Sequence, residues 1–305
     1  MTQSTNSSNN FNKWKSRSHY LGLLMSNAKG KSPLEKYNEA CEKFEEKLIA
    51  YKNSLNKETK AAQKLLADST KLKDAIISLE ETKSLPHLSQ TCKSKLAEIY
   101  THETTGRRKV ISSAYLEKGL IMEENAITDY SIYSGEYYKK NTVDADNDYI
   151  TGSCDFMDEH TVLDTKCSWD IFTFDSTKFK VVNPIYWWQA QAYMWLYEKR
   201  NFKLVYSLQD TPAHLVEAQK RKFMFEVFGN DSNFADASKE EKESFQEEID
   251  ALVRNYTYSD LPLSRKIKIF NIDRDDEAIS RIPARIEECR QYLNNIESVS
   301  EEDTD

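Results

Sequence analysis

Residues 34–85 contain neither proline nor glycine, and this uninterrupted stretch constrains the fold more than any other part of the chain. Apolar side chains recur in it at steps of mostly three and four residues, namely Leu34, Tyr37, Cys41, Phe44, Leu48, Tyr51 and Leu55, then Ala62, Leu65, Leu72, Ile76 and Leu79. This spacing predicts helix with one apolar stripe, as in coiled coils. A single helix of about 50 residues would be roughly 75 Å long. A hairpin folded near residues 53–57 would bury the stripe within one chain, and we favour the hairpin.

Further along the chain, two carboxylates and a lysine end what the pattern predicts to be two short neighbouring strands. Asp155 ends the first strand, and Asp164 and Lys166 lie near the end of the second. Side chains alternate in an extended strand, so Asp164 and Lys166 share one face and flank Thr165. Paired carboxylates bind a hard divalent cation such as Mg²⁺, and a nearby lysine can orient or deprotonate a water that the cation polarises. The spacing alone would equally suit a solvated acidic turn.

The flanking segments predict a helix on each side of these strands. Upstream, the pattern indicates a helix that begins at Gly119 and carries Glu123 and Glu124. Downstream, a helix started by an Asn-Pro pair places Gln189 and Gln191 among aromatic side chains. A buried amide without a hydrogen-bond partner is costly, so a glutamine in these surroundings indicates a specific role.

The order of the four motifs, G-x-x-x-E, S-x-D, D-x-K and Q-x-Q-x-x-M-W, resembles the PD-(D/E)XK nuclease superfamily. More narrowly, it resembles the phage recombination exonucleases of the lambda exonuclease or YqaJ-like group. The resemblance covers roughly residues 88–212. One departure is that Cys154 and Phe156 flank the first aspartate, where the family often has proline or glycine.

The resemblance implies an α/β (α+β) fold with a restriction-endonuclease-like core, in which helices flank a mixed central sheet. It implies that Asp155, Asp164 and the backbone carbonyl of Thr165 bind Mg²⁺, for which Mn²⁺ can substitute. Glu123 would be a direct or water-mediated ligand, and the adjacent Glu124 is an alternative for that position.

Other roles also follow from the resemblance. Lys166 would position the attacking water, and Gln189 would steady Lys166 or the nucleophile. In the family an early segment helps to bind the terminal phosphate of DNA, which makes Arg17 and Ser18 candidates. An ordinary amphipathic helix is the alternative for that segment.

Composition limits the classes of partner and compartment. The net charge of −8 argues against a protein that coats nucleic acid non-specifically, although local basic clusters such as Arg107 and Arg108 are candidates for DNA contacts. The five cysteines are odd in number and lack C-x-x-C spacing, which indicates a reducing cytosol and no zinc or iron–sulfur site. No apolar run approaches the roughly 20 residues of a membrane span. We therefore expect a cytoplasmic protein of a bacterium or of a phage-infected host.

The sequence predicts four parts: a disordered start (residues 1–15), a nuclease domain (16–33 and 86–298), a helical insertion (34–85) and an acidic tail (299–305). Within the nuclease domain it predicts helices near 89–103, 213–228, 238–255 and 275–296 and strands near 131–139, 148–156, 161–167, 202–208 and 266–272. The family's early segment normally runs almost directly into the core, which is why residues 34–85 are interpreted as an insertion.

The predicted function is that of a Mg²⁺-dependent exonuclease acting on double-stranded DNA ends in phage or prophage recombination. The resemblance also implies a single-strand annealing protein as partner and a homo-oligomer. One alternative is a structure- or sequence-specific endonuclease built on the same core. Another is a non-catalytic interaction protein that works through the helical insertion.

Overall fold

The computed structural model describes residues 10–110, 113–177 and 182–296. In chain order the elements are β1 (Ser16–Arg17), α1 (Leu21–Leu24), α2 (Pro33–Asn53), α3 (Lys60–Thr82), α4 (Gln90–Thr105), α5 (Ala114–Ser134), β2 (Ala145–Asp146), β3 (Ile150–Gly152), β4 (Phe156–Met157), β5 (Thr161–Cys167), α6 (Ile171–Ser176), α7 (Pro184–Leu196), β6 (Asn201–Ser207), α8 (Ala213–Phe228), α9 (Asp231–Asp236), α10 (Lys239–Arg254), β7 (Ile267–Asp273) and α11 (Asp276–Asn294).

The chain divides into two compact units. The first consists of Met1–Trp14, Leu23–Arg108 and Arg281–Asp305, and the second of Lys15–Gly22 and Lys109–Ser280. This division differs from the predicted domains, because the helical insertion shares a unit with α4 and the end of α11. Among the described residues, no helix is both long enough and apolar enough to cross a bilayer.

In the first unit, the stretch without proline or glycine forms the helical hairpin that the sequence favours. The Ser32 side chain accepts a hydrogen bond from Glu35 N at 3.1 Å, and the Glu35 carboxylate accepts one from Ser32 N at 2.6 Å. This capping box starts α2. The turn at residues 54–59 reverses the chain, and Thr59 caps α3 through Ala62 N at 3.2 Å. The chain turns at nearly the predicted place, and most of the stripe is half-buried between the two helices, whereas Leu34 and Leu55 are exposed.

The first unit also orders part of the N-terminus. Residues 10–14 do not have the disorder predicted for residues 1–15, because Phe11 is buried and its N–H donates to Asn294 Oδ1 at 2.9 Å. An apolar ring therefore anchors a segment whose composition is otherwise polar. Residues 1–9 and the acidic tail at 299–305 lie outside the described residues.

The second unit contains a four-stranded sheet of order β4-β5-β6-β7. β5 pairs antiparallel with β4 and parallel with β6, and β6 pairs antiparallel with β7. The predicted mixed central sheet flanked by helices is thereby confirmed. Leu163 of β5 packs in a cluster with α5, and Val162 packs in a cluster with α7. The strand alternation therefore turns Asp164 and Lys166 toward the side of α7.

A second, three-stranded sheet has the order β1-β3-β2. β1 lies in the early segment of Arg17 and Ser18, for which an ordinary amphipathic helix was the alternative interpretation. In this strand, Ser16 pairs with Ile150 of β3. Gly152 permits this packing, since an added Cβ would lie 2.9 Å from Ser18 Cβ and 3.1 Å from Tyr193 Cε1. A side chain at this position would not fit, because the Ser18 and Tyr193 side chains already occupy the space.

Three predicted elements are wrong in their extent. α5 begins at Ala114, so Gly119 lies inside the helix and not at its start. The same helix continues to Ser134 and ends at Gly135, whose φ of 76° gives a left-handed cap. The strand predicted near residues 131–139 is therefore helical at its beginning. The strand predicted near 148–156 is divided between β3 and β4, which belong to different sheets.

Candidate active site

Four of the residues proposed for the metal and catalytic site line one cleft of the second unit. The cleft has a volume of about 540 Å³, and Glu123, Asp155, Thr165 and Lys166 all line it. Asp164 is buried next to Lys166. α5 supplies the glutamate, the turn before β4 supplies Asp155, and β5 supplies the rest.

Asp155 is held at the cleft by the strand opposite. Phe156 pairs with Leu163 in the antiparallel ladder of β4 and β5, so Asp155 stands at the end of that ladder. Its Oδ2 accepts hydrogen bonds from Thr165 N at 2.6 Å and from Thr165 Oγ1 at 2.8 Å. Both bonds use the same oxygen, and no hydrogen bond to Oδ1 is present among the described residues. Asp155 precedes β4 and does not end a strand as predicted.

Asp164 and Lys166 form an ion pair, as their shared face predicts. The contact lacks hydrogen-bond geometry, so within the described part of the chain the buried Asp164 Oδ2 accepts no hydrogen bond. Burial raises the pKa of the Asp164 carboxyl to about 7, with Asp155 adding to the rise and Lys166 opposing it. Burial lowers the pKa of Lys166, but Asp164 and Asp155 outweigh this effect and raise it overall. The ammonium also lies 5.3 Å from the ring centre of Tyr186.

The helix glutamate is Glu123 by position. Glu123 lines the cleft and is half-buried, whereas Glu124 is exposed and does not line it. The Glu123 carboxylate pairs with Lys140 Nζ at 3.1 Å. The motif did not indicate Lys140. Its ammonium forms an ion pair with the carboxylate that was assigned as a metal ligand.

The two glutamines of α7 have different surroundings. Gln189 is buried and donates to Tyr193 Oη at 3.2 Å, one turn along the same helix. Gln191 donates to Asp273 O at 2.9 Å and accepts from Asp275 N at 2.8 Å, so it joins α7 to the segment between β7 and α11. No hydrogen bond from Gln189 to Lys166 is found among the described residues.

A buried lysine that sequence reasoning missed connects the two sides of the site. Lys118 of α5 is fully buried, and its Nζ donates to Trp169 O at 2.8 Å. Trp169 follows the end of β5 and lines the same cleft. The bond therefore ties the helix of Glu123 to the strand of Asp164 and Lys166. Its partners are 51 residues apart, and no local pattern signals it.

The four candidate DNA contacts fall in two places. Arg17 of β1 is exposed, whereas Ser18 is buried and donates to Thr151 O at 3.1 Å. Arg107 and Arg108 follow α4 in the first unit, where Arg108 Nε donates to His102 Nε2 at 2.9 Å. Neither pair is among the residues that line the cleft.

The site residues are suited to a hard divalent cation, although they do not form a closed cage. Across residues 10–110, 113–177 and 182–296, no three His, Cys, Asp or Glu side chains converge on one point. The predicted set uses two carboxylates and the Thr165 carbonyl, and such oxygen ligands are the ones that Mg²⁺ accepts. Among the described residues, Asp164 Oδ2 accepts no hydrogen bond but already lies against the Lys166 ammonium, whereas Asp155 uses only Oδ2 for its hydrogen bonds and keeps the lone pairs of Oδ1 for a cation. The donor chemistry therefore fits the group that the resemblance implies.

Comparison with known proteins connects the fold to exonucleases. No protein-family model matches the chain, and no curated protein matches it. A phage-related exonuclease from Haemophilus somnus 129PT is similar over 94% of this chain and 96% of its own, with a TM-score of 0.58 and 24% identity. An alkaline exonuclease from Laribacter hongkongensis is similar over 70% of this chain and 85% of its own, with a TM-score of 0.46 and 16% identity. A structure of that enzyme in complex with dAMP gives a TM-score of 0.46 and 18% identity. The predicted resemblance to exonucleases is confirmed at the level of the fold by the first of these.

Proposed function

We propose that this protein is a Mg²⁺-dependent exonuclease that hydrolyses phosphodiester bonds at the ends of double-stranded DNA. The observation that carries the proposal is the convergence of Asp155, Thr165, Lys166 and Glu123 on one cleft, with Asp164 buried beside the lysine. The fold shared with the Haemophilus somnus exonuclease supports the same reaction class. Duplex ends, a single-strand annealing protein, a homo-oligomer and a cytoplasmic location are parts of the proposal that rest on the family resemblance.

Asp155, Asp164 and the carbonyl of Thr165 would hold the metal, with Glu123 as a direct or water-mediated ligand. Mg²⁺, or Mn²⁺ in its place, would stabilise the negative charge that grows on the scissile phosphate. Asp155 is preorganised for this task by its two hydrogen bonds from Thr165. To bind the metal, Glu123 would have to give up its ion pair with Lys140. Because the lysine side chain is exposed, breaking this pair costs little.

Lys166 is placed to act on the attacking water. Its ammonium contacts Asp164 and the face of Tyr186, and part of it remains open to the cleft. Its ammonium would orient the attacking water and donate a hydrogen bond to the phosphate. Gln189 would steady Tyr193 and this end of α7.

The test is cleavage of end-labelled linear duplex with and without Mg²⁺, alongside a covalently closed circle of the same sequence. The proposal expects Mg²⁺-dependent loss of the linear duplex from its ends and an intact circle. Cutting of the circle would instead identify an endonuclease. No cleavage of either substrate in Mg²⁺ or Mn²⁺ would refute nuclease activity and favour an interaction protein.

A further inference from the structure

The helical hairpin carries a segregation of charge along its length. We define the arm as residues 33–82, and the ion pair between Lys47 and Asp68, at 2.8 Å, marks one level across it. Beyond that level lies the arm tip, residues 48–67, and before it lies the arm base, residues 33–46 and 69–82. The tip has four lysines and one acidic residue, whereas the base has four lysines and eight acidic residues. The tip is thus basic in a chain whose net charge is −8.

One of the tip lysines has a structural task. Lys57 Nζ donates to the carbonyls of Tyr51 and Lys52, the second at 2.8 Å, at the end of α2. Its charge lies against the partial negative charge of a helix C-terminus, which it stabilises. Lys57 is therefore engaged within the fold and is not available to a partner.

The remaining tip lysines are exposed and unpaired. Three lysines of the tip are exposed, namely Lys52, Lys60 and Lys64. Within the described ranges, none of their ammonium groups forms an ion pair or a hydrogen bond. Asp68 lies one turn beyond Lys64, but Lys47 already pairs with it. Three ammonium groups are consequently available to a partner.

Two of these lysines oppose the stability of the helix that carries them. Lys60 is the first residue of α3, whose first turn has no acidic residue, although a negative side chain is favoured there. Lys60 and Lys64 are four residues apart on one helix face, where like charges repel. Asp68 attracts Lys64 only in part, because its hydrogen bond goes to Lys47. A sequence that breaks both local rules indicates a requirement from outside the fold.

We infer that the arm tip binds the phosphate backbone of duplex DNA through Lys52, Lys60 and Lys64. Unpaired ammonium groups on a protruding surface are the usual source of sequence-independent phosphate contacts. The rise of about 6 Å between Lys60 and Lys64 is close to two steps of the roughly 3.4 Å axial rise per phosphate of one strand. The choice of DNA as partner rests on the proposed function, and the arm would add phosphate contacts to those made at the cleft.

The test compares two triple variants of the full chain. The tip variant is Lys52→Gln, Lys60→Gln and Lys64→Gln. The matched control removes the same charge from three exposed lysines of the base, as Lys36→Gln, Lys71→Gln and Lys73→Gln. The probe is a fluorescein-labelled duplex closed at both ends by hairpin loops, so that end recognition cannot contribute. Binding is measured by anisotropy in EDTA over a series of salt concentrations, and circular dichroism checks that both variants keep the parental helix content.

The tip variant should bind roughly tenfold more weakly at low salt, and the slope of log K against log salt should fall by about 2 to 3. The control should stay close to the parent. Equal affinity of tip variant and parent, equal losses in both variants, or no binding by the parent would each overturn the inference. Cleavage of linear duplex in Mg²⁺ is assayed on the same preparations. A parent that binds through its tip but does not cleave would refute the proposed function and leave the arm's role standing.

Discussion

At the scale of single residues, the central feature is a carboxylate that the fold buries beside one lysine. Asp164 is 2% exposed, and its only charged contact among the described residues is Lys166. Removing one member of a buried pair leaves an uncompensated charge, which typically costs about 3 to 5 kcal/mol. Lys166 therefore has a structural role in addition to its proposed chemical one. Replacing Lys166 should lower stability as well as activity.

A double-mutant cycle separates these two roles. Lys166→Met should lower the free energy of unfolding in EDTA by about 3 kcal/mol at alkaline pH, where Asp164 stays ionised. The loss should be smaller at neutral pH, where Asp164, whose pKa burial raises to about 7, takes up a proton. Asp164→Asn should have a smaller effect, and the double variant should regain most of the loss. All three should cleave at least about 100-fold more slowly than the parent. Urea unfolding and the end-labelled assay give both readouts. A stable Lys166→Met protein, or an active double variant, would contradict the assignment.

Lys118 should give the protein a measurable pH dependence of stability. Burial lowers its pKa from 10.5 to about 8, so between these values the unfolded chain binds more protons than the folded one. The free energy of unfolding should then rise with pH across that window, by at most about 3 kcal/mol. Lys118→Met should remove this rise. The quantity to compare is the difference between parent and variant at about pH 7 and pH 9, because the other cysteines and the tyrosines titrate in both. Cys167, whose pKa burial raises and Lys118 lowers, is replaced by alanine in both proteins. A constant difference would show that Lys118 does not titrate in this range.

At the scale of elements, two glycines in helices should respond oppositely to alanine. A Cβ on Gly119 of α5 would meet nothing within 4 Å, so Gly119→Ala should stabilise the protein by about 0.5 to 1 kcal/mol. A Cβ on Gly22 would overlap Ile185 Cα at the start of α7, so Gly22→Ala should destabilise it by about 1 to 3 kcal/mol. Thermal unfolding tests both variants.

Gly119 also lines the cleft. If the substrate backbone passes over it, Gly119→Ala should lower cleavage while it raises stability. An alanine variant that gains stability and keeps full activity would show that the glycine is not needed for substrate approach.

Long periodic elements could be predicted from the sequence, and contacts between distant segments could not. The alternation of Thr161–Cys167 and the proline-started helix of Gln189 appear as predicted because their signals are local. β1 and β4 have two residues each and exist only through their partners, so periodicity cannot reveal them. Ile132 and Tyr133 favour strand by composition, yet they lie in the last turns of α5, which continues to its glycine cap. The side chains of the cleft were found by motif, whereas Lys118 and Lys140 were not, because their partners are 51 and 17 residues away.

At the scale of the whole molecule, the segments that precede and follow the arm lie next to each other within the first unit. Asn27 and Leu88 form an antiparallel bridge, and the hydroxyls of Ser26 and Ser89 are 2.5 Å apart. The chain before α2 and the chain before α4 are therefore held together without the arm. A segment whose ends meet in this way can be shortened without stretching the structure around it.

The last prediction follows from this geometry. Joining residue 32 to residue 87 through a short Gly/Ser linker should leave a folded protein that still cuts short linear duplexes, since every residue assigned to the cleft lies beyond the arm. The deletion should lose the same duplex affinity as the tip variant, and sedimentation should change only by the missing mass. Velocity sedimentation and the nuclease assay on one preparation test these points. An insoluble protein, or a soluble one that is inactive on short duplexes while the tip variant remains active, would mean that α2 and α3 support the catalytic fold itself.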